Sequence, residues 1–210
     1  MTTPRRALIV IDVQNEYFTG GLQIEYPDPA LSLANIGRTM DAARAAGIPV
    51  IVVQHTAPPA APIFRKGTSG WELEASIAAR PHDHYVEKNW PSAYVGTDLG
   101  DWLARHDIDT LTVVGYMTQN CVDSTIKQAM HSGLAVEFLY DATGAVPYAN
   151  EAGSVSAETI HRTLAVIYQS NFAAVLDTDQ WLEVIAGKAV AVKNNVPASY
   201  ARARAQIANN

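Results

Sequence analysis

The sequence predicts an α/β fold, a parallel sheet with helices packed on both of its faces. Three observations carry that prediction. Short apolar runs alternate with segments whose apolar residues recur at helical spacing. The first run, Ala7-Leu-Ile-Val-Ile11, is apolar throughout, as a strand buried on both faces must be. Strand–helix–strand alternation calls for right-handed crossovers, which lay the joined strands parallel. A chain of 210 residues holds one domain with a large core, expected over 1–187, and leaves 188–210 as a C-terminal tail.

The first strand ends in Asp12, and a loop with Gly20-Gly21, Pro27 and Pro29 follows. Leu31 to Ala46 carries Leu33, Ile36, Met40 and Ala43 at helical spacing and stops at Gly47. Ile48-Pro-Val-Ile-Val-Val53 is the second strand. From His55 to Arg80 the chain is irregular, broken by Pro58, Pro59, Pro62, Gly67 and Gly70. A connection this long in a compact domain is usually functional, as a lid or a substrate loop. His84-Tyr-Val-Glu87 is a short third strand that delivers Lys88. Leu99 to Arg105 is helical, Thr110 to Val114 is the fourth strand, and Val122 to His131 is a helix closed by Gly133. Ala135 to Tyr140 is the fifth strand, delivering Asp141. Glu158 to Gln169 is a helix, Ala173 to Leu176 the sixth strand, and Asp177 caps a last helix, Gln180 to Ala186. The remainder, Lys188 to Asn210, is polar and alanine-rich, a tail or an arm gripping a neighbouring subunit.

Composition narrows the function classes. At 48% hydrophobic and 17% charged the chain is ordinary globular material. A formal charge of -6 argues against non-specific nucleic-acid binding, which needs a basic face. No run of about 18 apolar residues is present to span a membrane. The opening Met-Thr-Thr-Pro-Arg-Arg lacks the apolar stretch and cleavage site of a signal peptide. The single cysteine cannot form an internal disulfide, which fits a reducing, cytoplasmic setting.

That cysteine, Cys121, sits where the fourth strand gives way to a helix. A helix N-terminus stabilises a thiolate, and the same N–H groups can hold an oxyanion. The other reading is a small buried hydrophobe. Asp12 and Lys88 also follow the carboxyl ends of strands, the edge on which parallel sheets bind ligands. Asp12 can take a thiol proton and return it to a leaving amine, while Lys88 steadies the charges. Taken singly, Asp12 fits a turn cap as well as a base, and Lys88 fits a surface lysine. Three chemically distinct residues on one rim favour the catalytic reading.

Val10-Ile-Asp12-Val-Gln-Asn, Val86-Glu-Lys88-Asn-Trp-Pro-Ser-Ala-Tyr94 and Gly115-Tyr-Met-Thr-Gln-Asn-Cys121-Val-Asp-Ser-Thr125 resemble the signatures of isochorismatase-like cysteine hydrolases. Thr97-Asp-Leu99 and Tyr140-Asp-Ala-Thr143 match in order between and after them, so the resemblance covers nearly the whole chain. It implies a three-layer, Rossmann-like sandwich whose six-stranded, mainly parallel sheet has the order 3-2-1-4-5-6. It also implies a catalytic triad of Asp12, Lys88 and Cys121 that hydrolyses a small amide, ureido or carbamoyl compound through a thioester. A cis Tyr116–Met117 peptide belongs to the same pattern, with the N–H groups of Met117 and Cys121 as the oxyanion hole. A homo-oligomer, dimer or tetramer, is the implied assembly.

Nicotinamidases of this superfamily bind a metal through an Asp-x-His pair after the second strand, where this chain has Gln54-His55-Thr56. No metal or other cofactor is therefore expected. His82 and His84 share a strand face and could chelate, but no third ligand is evident. His55 reads as a pocket or hydrogen-bonding residue, His131 and His161 as ordinary helix residues. Vinyl-ether-cleaving isochorismatases commonly lack the cysteine, so its presence favours C–N hydrolysis. Ester or vinyl-ether hydrolysis, and a non-catalytic thiol sensor, are the alternatives. Tyr17, Phe18, Trp71, Trp90, Tyr94, Gln119 and Asn120 are the candidate substrate-binding residues. Trp71 and Trp90 fit core aromatics equally well, and Gln14 fits a hydrogen bond to the turn after the first strand.

Overall fold

The computed structural model describes residues 4–208; Met1–Thr3, at the head of the expected domain, and Asn209–Asn210, at the end of the expected tail, lie outside them. In chain order the elements are β1 (Arg6–Ile11), α1 (Pro29–Ala45), β2 (Val50–His55), α2 (Ala75–Ala78), β3 (His84–Lys88), α3 (Leu99–Arg105), β4 (Thr110–Tyr116), α4 (Asp123–His131) and β5 (Ala135–Gly144). They continue with β6 (Tyr148–Asn150), β7 (Gly153–Val155), α5 (Ala157–Ile167), β8 (Ala174–Leu176), α6 (Thr178–Ile185) and α7 (Val196–Ala208). The main sheet has six strands in the order β3-β2-β1-β4-β5-β8. Every pair in it is parallel. This is the expected order, with the sixth sheet strand appearing as β8 because an antiparallel hairpin, β6–β7, precedes it.

Alternation along each strand sends side chains to two cores. Leu8 and Val10 of β1 face Ile36 and Met40 of α1 and Trp181 of α6. Ala7, Ile9 and Ile11 join Leu103 of α3, Ile126 of α4 and Tyr168 beyond α5. All five of these β1 residues are fully buried, and burying each of Leu8, Ile9, Val10 and Ile11 contributes roughly 1.5–3 kcal/mol. Two covered faces are why the central strands read as unbroken apolar runs.

Local chemistry sets the helix ends. α1 begins two residues before the expected Leu31, because Asp28 accepts a hydrogen bond from the Ala30 N–H and Pro29 occupies the first turn. Asp177 caps α6 as expected, in a reciprocal box with Gln180. The helix containing His161 ends at Ile167 and runs into a π-helical turn, Tyr168–Phe172. The tail is not featureless, since its second half is α7. No helix among the described residues is long and apolar enough to cross a membrane.

Two backbone positions shape the carboxyl edge at the centre of the sheet. Gly115 has φ +105°, and a Cβ there would collide with the Ile11 carbonyl oxygen on the neighbouring strand. Only glycine lets β4 pass β1 this closely. Asp12, the residue after β1, has φ 50°, a left-handed conformation that aspartate tolerates better than most residues.

Candidate active site

The register of the sheet assembles the site. Lys88, the last residue of β3, pairs with His55 at the end of β2. Ile11 pairs with Val53 on one side and Gly115 on the other. Four adjacent strands therefore present Lys88, His55, Asp12 and the β4–α4 connection along one rim, at the point where strand order reverses. The β4–α4 connection holds a π-helical turn, Thr118–Val122, so helical backbone starts three residues before Cys121 rather than after it.

Lys88 Nζ lies 2.7 Å from Asp12 Oδ2 and 3.2 Å from Cys121 Sγ. Asp12 is 0% exposed, Lys88 1% and Cys121 4%. Neither Asp12 oxygen has an aligned hydrogen-bond donor among the described residues, so its link to Lys88 is a close ion pair and its acceptor capacity is open. Burial pulls the Lys88 pKa down, but the charges of Asp12 and Cys121 outweigh it and the net direction is up. The ammonium is retained. Burial pushes the Cys121 thiol up, the Asp12 charge adds to this, and Lys88 opposes it without prevailing. The resting sulfur therefore keeps its proton, against the expectation that the helix N-terminus would favour a thiolate.

His55 Nδ1 stands 3.4 Å from Lys88 Nζ. Burial and then the Lys88 charge lower its pKa, which keeps the ring neutral near pH 7. Gln14 does not serve the turn after β1. Its amide donates to the carbonyls of His55 (3.0 Å) and Trp71 (2.7 Å) and accepts from the His55 N–H (2.9 Å). Gln54 also donates to the Trp71 carbonyl, and the Trp71 indole donates to Thr56 Oγ1. The long loop is thereby tied to the ends of β1 and β2.

The expected substrate-binding residues divide into groups. Tyr17 and Phe18 pack on Tyr116, with ring centroids 5.4 Å and 5.6 Å apart. Burial and the charges of Cys121 and Asp12 raise the Tyr17 pKa, so its hydroxyl stays protonated beside those two residues. Gln119 donates to the Val146 carbonyl at 2.8 Å, and its Oε1 is buried without an aligned partner among the described residues. Asn120 is half-buried in the same turn. Tyr94 packs against the α3–α4 core, while Trp90 is 62% exposed and so is not a core aromatic. The Tyr116–Met117 peptide is cis. His82 and His84 join no group of three metal-ligating side chains among the described residues.

His161 is the residue the sequence reading undervalued. It is 2% exposed, with Nδ1 3.0 Å from Thr118 Oγ1 and Nε2 2.9 Å from the Tyr140 carbonyl. Nε2 therefore carries the proton and Nδ1 accepts. Tyr168 donates to the Thr118 carbonyl and to Asp123. Ala157, His161 and Tyr168 are all buried and stand at i, i+4 and i+11. That spacing was the available signal. Tyr148, on the β6–β7 hairpin, is a further neighbour: its hydroxyl is 4.0 Å from Met117 Sδ.

Comparison with known proteins decides the family. The family model of the Isochorismatase domain matches residues 6–180. The chain belongs to the isochorismatase family. A crystal structure of a candidate isochorismatase from Burkholderia xenovorans is similar over 99% of this chain and 100% of its own, with a TM-score of 0.96 and 61% identity. The uncharacterized isochorismatase family protein YddQ of Bacillus subtilis is 30% identical over 87% of this chain and its whole length. The ureidoacrylate amidohydrolase of Agrobacterium fabrum is 29% identical over 65% of this chain and 75% of its own. The family is one of hydrolases, and amidohydrolases are among its members.

Proposed function

We propose that the protein hydrolyses the C–N bond of a small amide, ureido or carbamoyl compound in the cytoplasm through a Cys121 thioester. One observation carries the reading: Lys88 Nζ bridges the Asp12 carboxylate and the Cys121 sulfur within a water-poor rim. Asp12 takes the thiol proton as Sγ attacks the carbonyl carbon, and the resulting oxyanion is held by the N–H groups of Met117 and Cys121. The protonated Asp12 then returns the proton to the amine, the C–N bond breaks, and ammonia or an amine leaves. Asp12 next deprotonates a water, which attacks the thioester and frees the acid and the thiol. Lys88 stays an ammonium throughout and steadies whichever of its two neighbours is negative.

The raised thiol pKa fits this cycle, because the sulfur loses its proton only as it attacks. It speaks against a thiol sensor, which needs a standing thiolate. The ureidoacrylate amidohydrolase relative supports the substrate class. The test is ammonia release over a panel of small amides, ureido acids and carbamoyl amino acids, with Cys121→Ala alongside. We expect turnover of at least one compound and none by the variant; full activity in Cys121→Ala removes the nucleophile assignment.

A further inference from the structure

We propose that Phe64, on the long loop after β2, is a specificity-determining residue that sets the size of the compound reaching Cys121. This rests on the thiol chemistry proposed above and narrows its substrates to amides that fit beside one fixed phenyl ring. Between Thr56 and Ile77 the chain buries a single residue, Phe64. Pro62 and Arg65 beside it are exposed and Ile63 is half-buried. The Phe64 backbone has φ 53°, a left-handed conformation that is costly for a bulky residue and persists only where its surroundings impose it. The loop therefore accepts strain to sink one ring.

Where the ring goes gives the reason. It wedges between Tyr17, with centroids 5.1 Å apart, and His55, edge-on at 5.5 Å. Both partners border the reacting groups. His55 Nδ1 is 3.4 Å from Lys88 Nζ, and the charges of Cys121 and Asp12 both reach the Tyr17 hydroxyl. Met117, at the head of the nucleophile turn, belongs to the same apolar cluster as Phe64 and Tyr17.

The ring is fastened on both sides. The Ala57 N–H donates to the Phe64 carbonyl at 3.0 Å, and Ala57 bridges to Arg65. Two residues on, Lys66 Nζ lies 2.7 Å from Glu87 Oε2, and Thr56 donates to Glu87 Oε1 at 2.8 Å. Phe64 is thus tied to β2 and β3, the strands that carry His55 and Lys88. A ring held this way filters by shape. An apolar wall separates compounds that differ by one methylene by roughly 10–200-fold.

Cys121 is the only cysteine in the chain, so its alkylation reports on this site alone. Iodoacetamide and its N-benzyl derivative offer the same electrophilic carbon: Sγ displaces iodide, a thioether forms and the thiol proton is released. The ratio of their rates, normalised to free cysteine and read by intact mass, cancels the thiolate fraction and leaves access. The native chain is expected to prefer iodoacetamide at least tenfold. Phe64→Ala is expected to bring the ratio to within about twofold of free cysteine, with Phe64→Leu between. Thermal melting identifies variants that do not fold; if Phe64→Ala is one, Phe64→Leu carries the test. On an amide that the panel reveals, Phe64→Ala is expected to raise kcat/KM for a bulkier homologue relative to the parent. A native chain without size preference overturns the proposal, as does a preference unchanged in the folded variants. Rates that rise together for both reagents, at a fixed ratio, also overturn it, since they report loosened packing only. A Cys121 that takes neither reagent in the native chain or in either variant has the same force. Alkylation requires no turnover, so these outcomes are distinct from a failure of the amide chemistry itself.

Discussion

At the scale of single residues, Asp12 carries two demands, a buried charge and a left-handed backbone. Asp12→Asn keeps the shape and the φ tolerance but removes the base. We expect turnover to fall by roughly 10²–10⁴, the usual share of a positioned acid–base group, read as kcat on the substrate the panel identifies. Lys88→Met strands a buried carboxylate, and breaking such a pair costs about 3–5 kcal/mol, measurable by urea unfolding. Gly115→Ala, unable to clear Ile11, is expected to lose activity and stability together. His55 supplies a pH test. Its pKa lies below 6.5, so the ring is neutral at pH 7 and gains charge only on the acid side. A second positive charge 3.4 Å from Lys88 opposes the ammonium, so activity is expected to fall as pH drops through that lowered pKa. His55→Gln is expected to remove this limb from the kcat/KM profile; an unchanged limb assigns it to another group.

At the scale of elements, α5 and its π-helical turn brace the Thr118–Val122 turn that carries Cys121. His161 is held neutral, its pKa pushed by burial from 6.5 down to about 4. A folded-state pKa below the unfolded one means the unfolded chain binds more protons between the two values. Stability from this group is therefore full above pH 6.5 and is lost as pH falls toward 4. The loss between pH 7 and pH 5 comes to about 2 kcal/mol. Urea unfolding at the two pH values, compared with His161→Gln, isolates it; equal pH dependence in both proteins refutes the assignment. The main strands and most helices were legible because their apolar spacing is driven by the two cores. The β6–β7 hairpin was not, since Tyr148–Asn150 and Gly153–Val155 are all exposed and bury no alternating face. α7 was read as tail for the same reason. The π-helical turns escaped because apolar spacing does not distinguish one hydrogen-bond register from another.

At the scale of the whole molecule, strand order explains why distant residues meet. Asp12, Lys88 and Cys121 lie far apart in sequence, and the β3-β2-β1-β4 order brings their strands side by side with all carboxyl ends on one edge. Asp12 and Cys121 were visible in the sequence because a buried apolar run ends before each; Lys88 closes the half-exposed β3, in which Val86 is the one buried apolar residue. The pocket around them was less visible. Trp90 follows β3 yet points to solvent, and Trp71 is recruited by Gln14 and Gln54 through its carbonyl, a backbone role that residue identity does not signal. The most direct measurement is intact-protein mass spectrometry on enzyme acid-quenched during turnover. The account predicts an adduct of the acyl mass on Cys121, discharged by hydroxylamine and absent from Cys121→Ser. Sustained C–N cleavage with no adduct at any quench time, and with activity retained in Cys121→Ser, would contradict it.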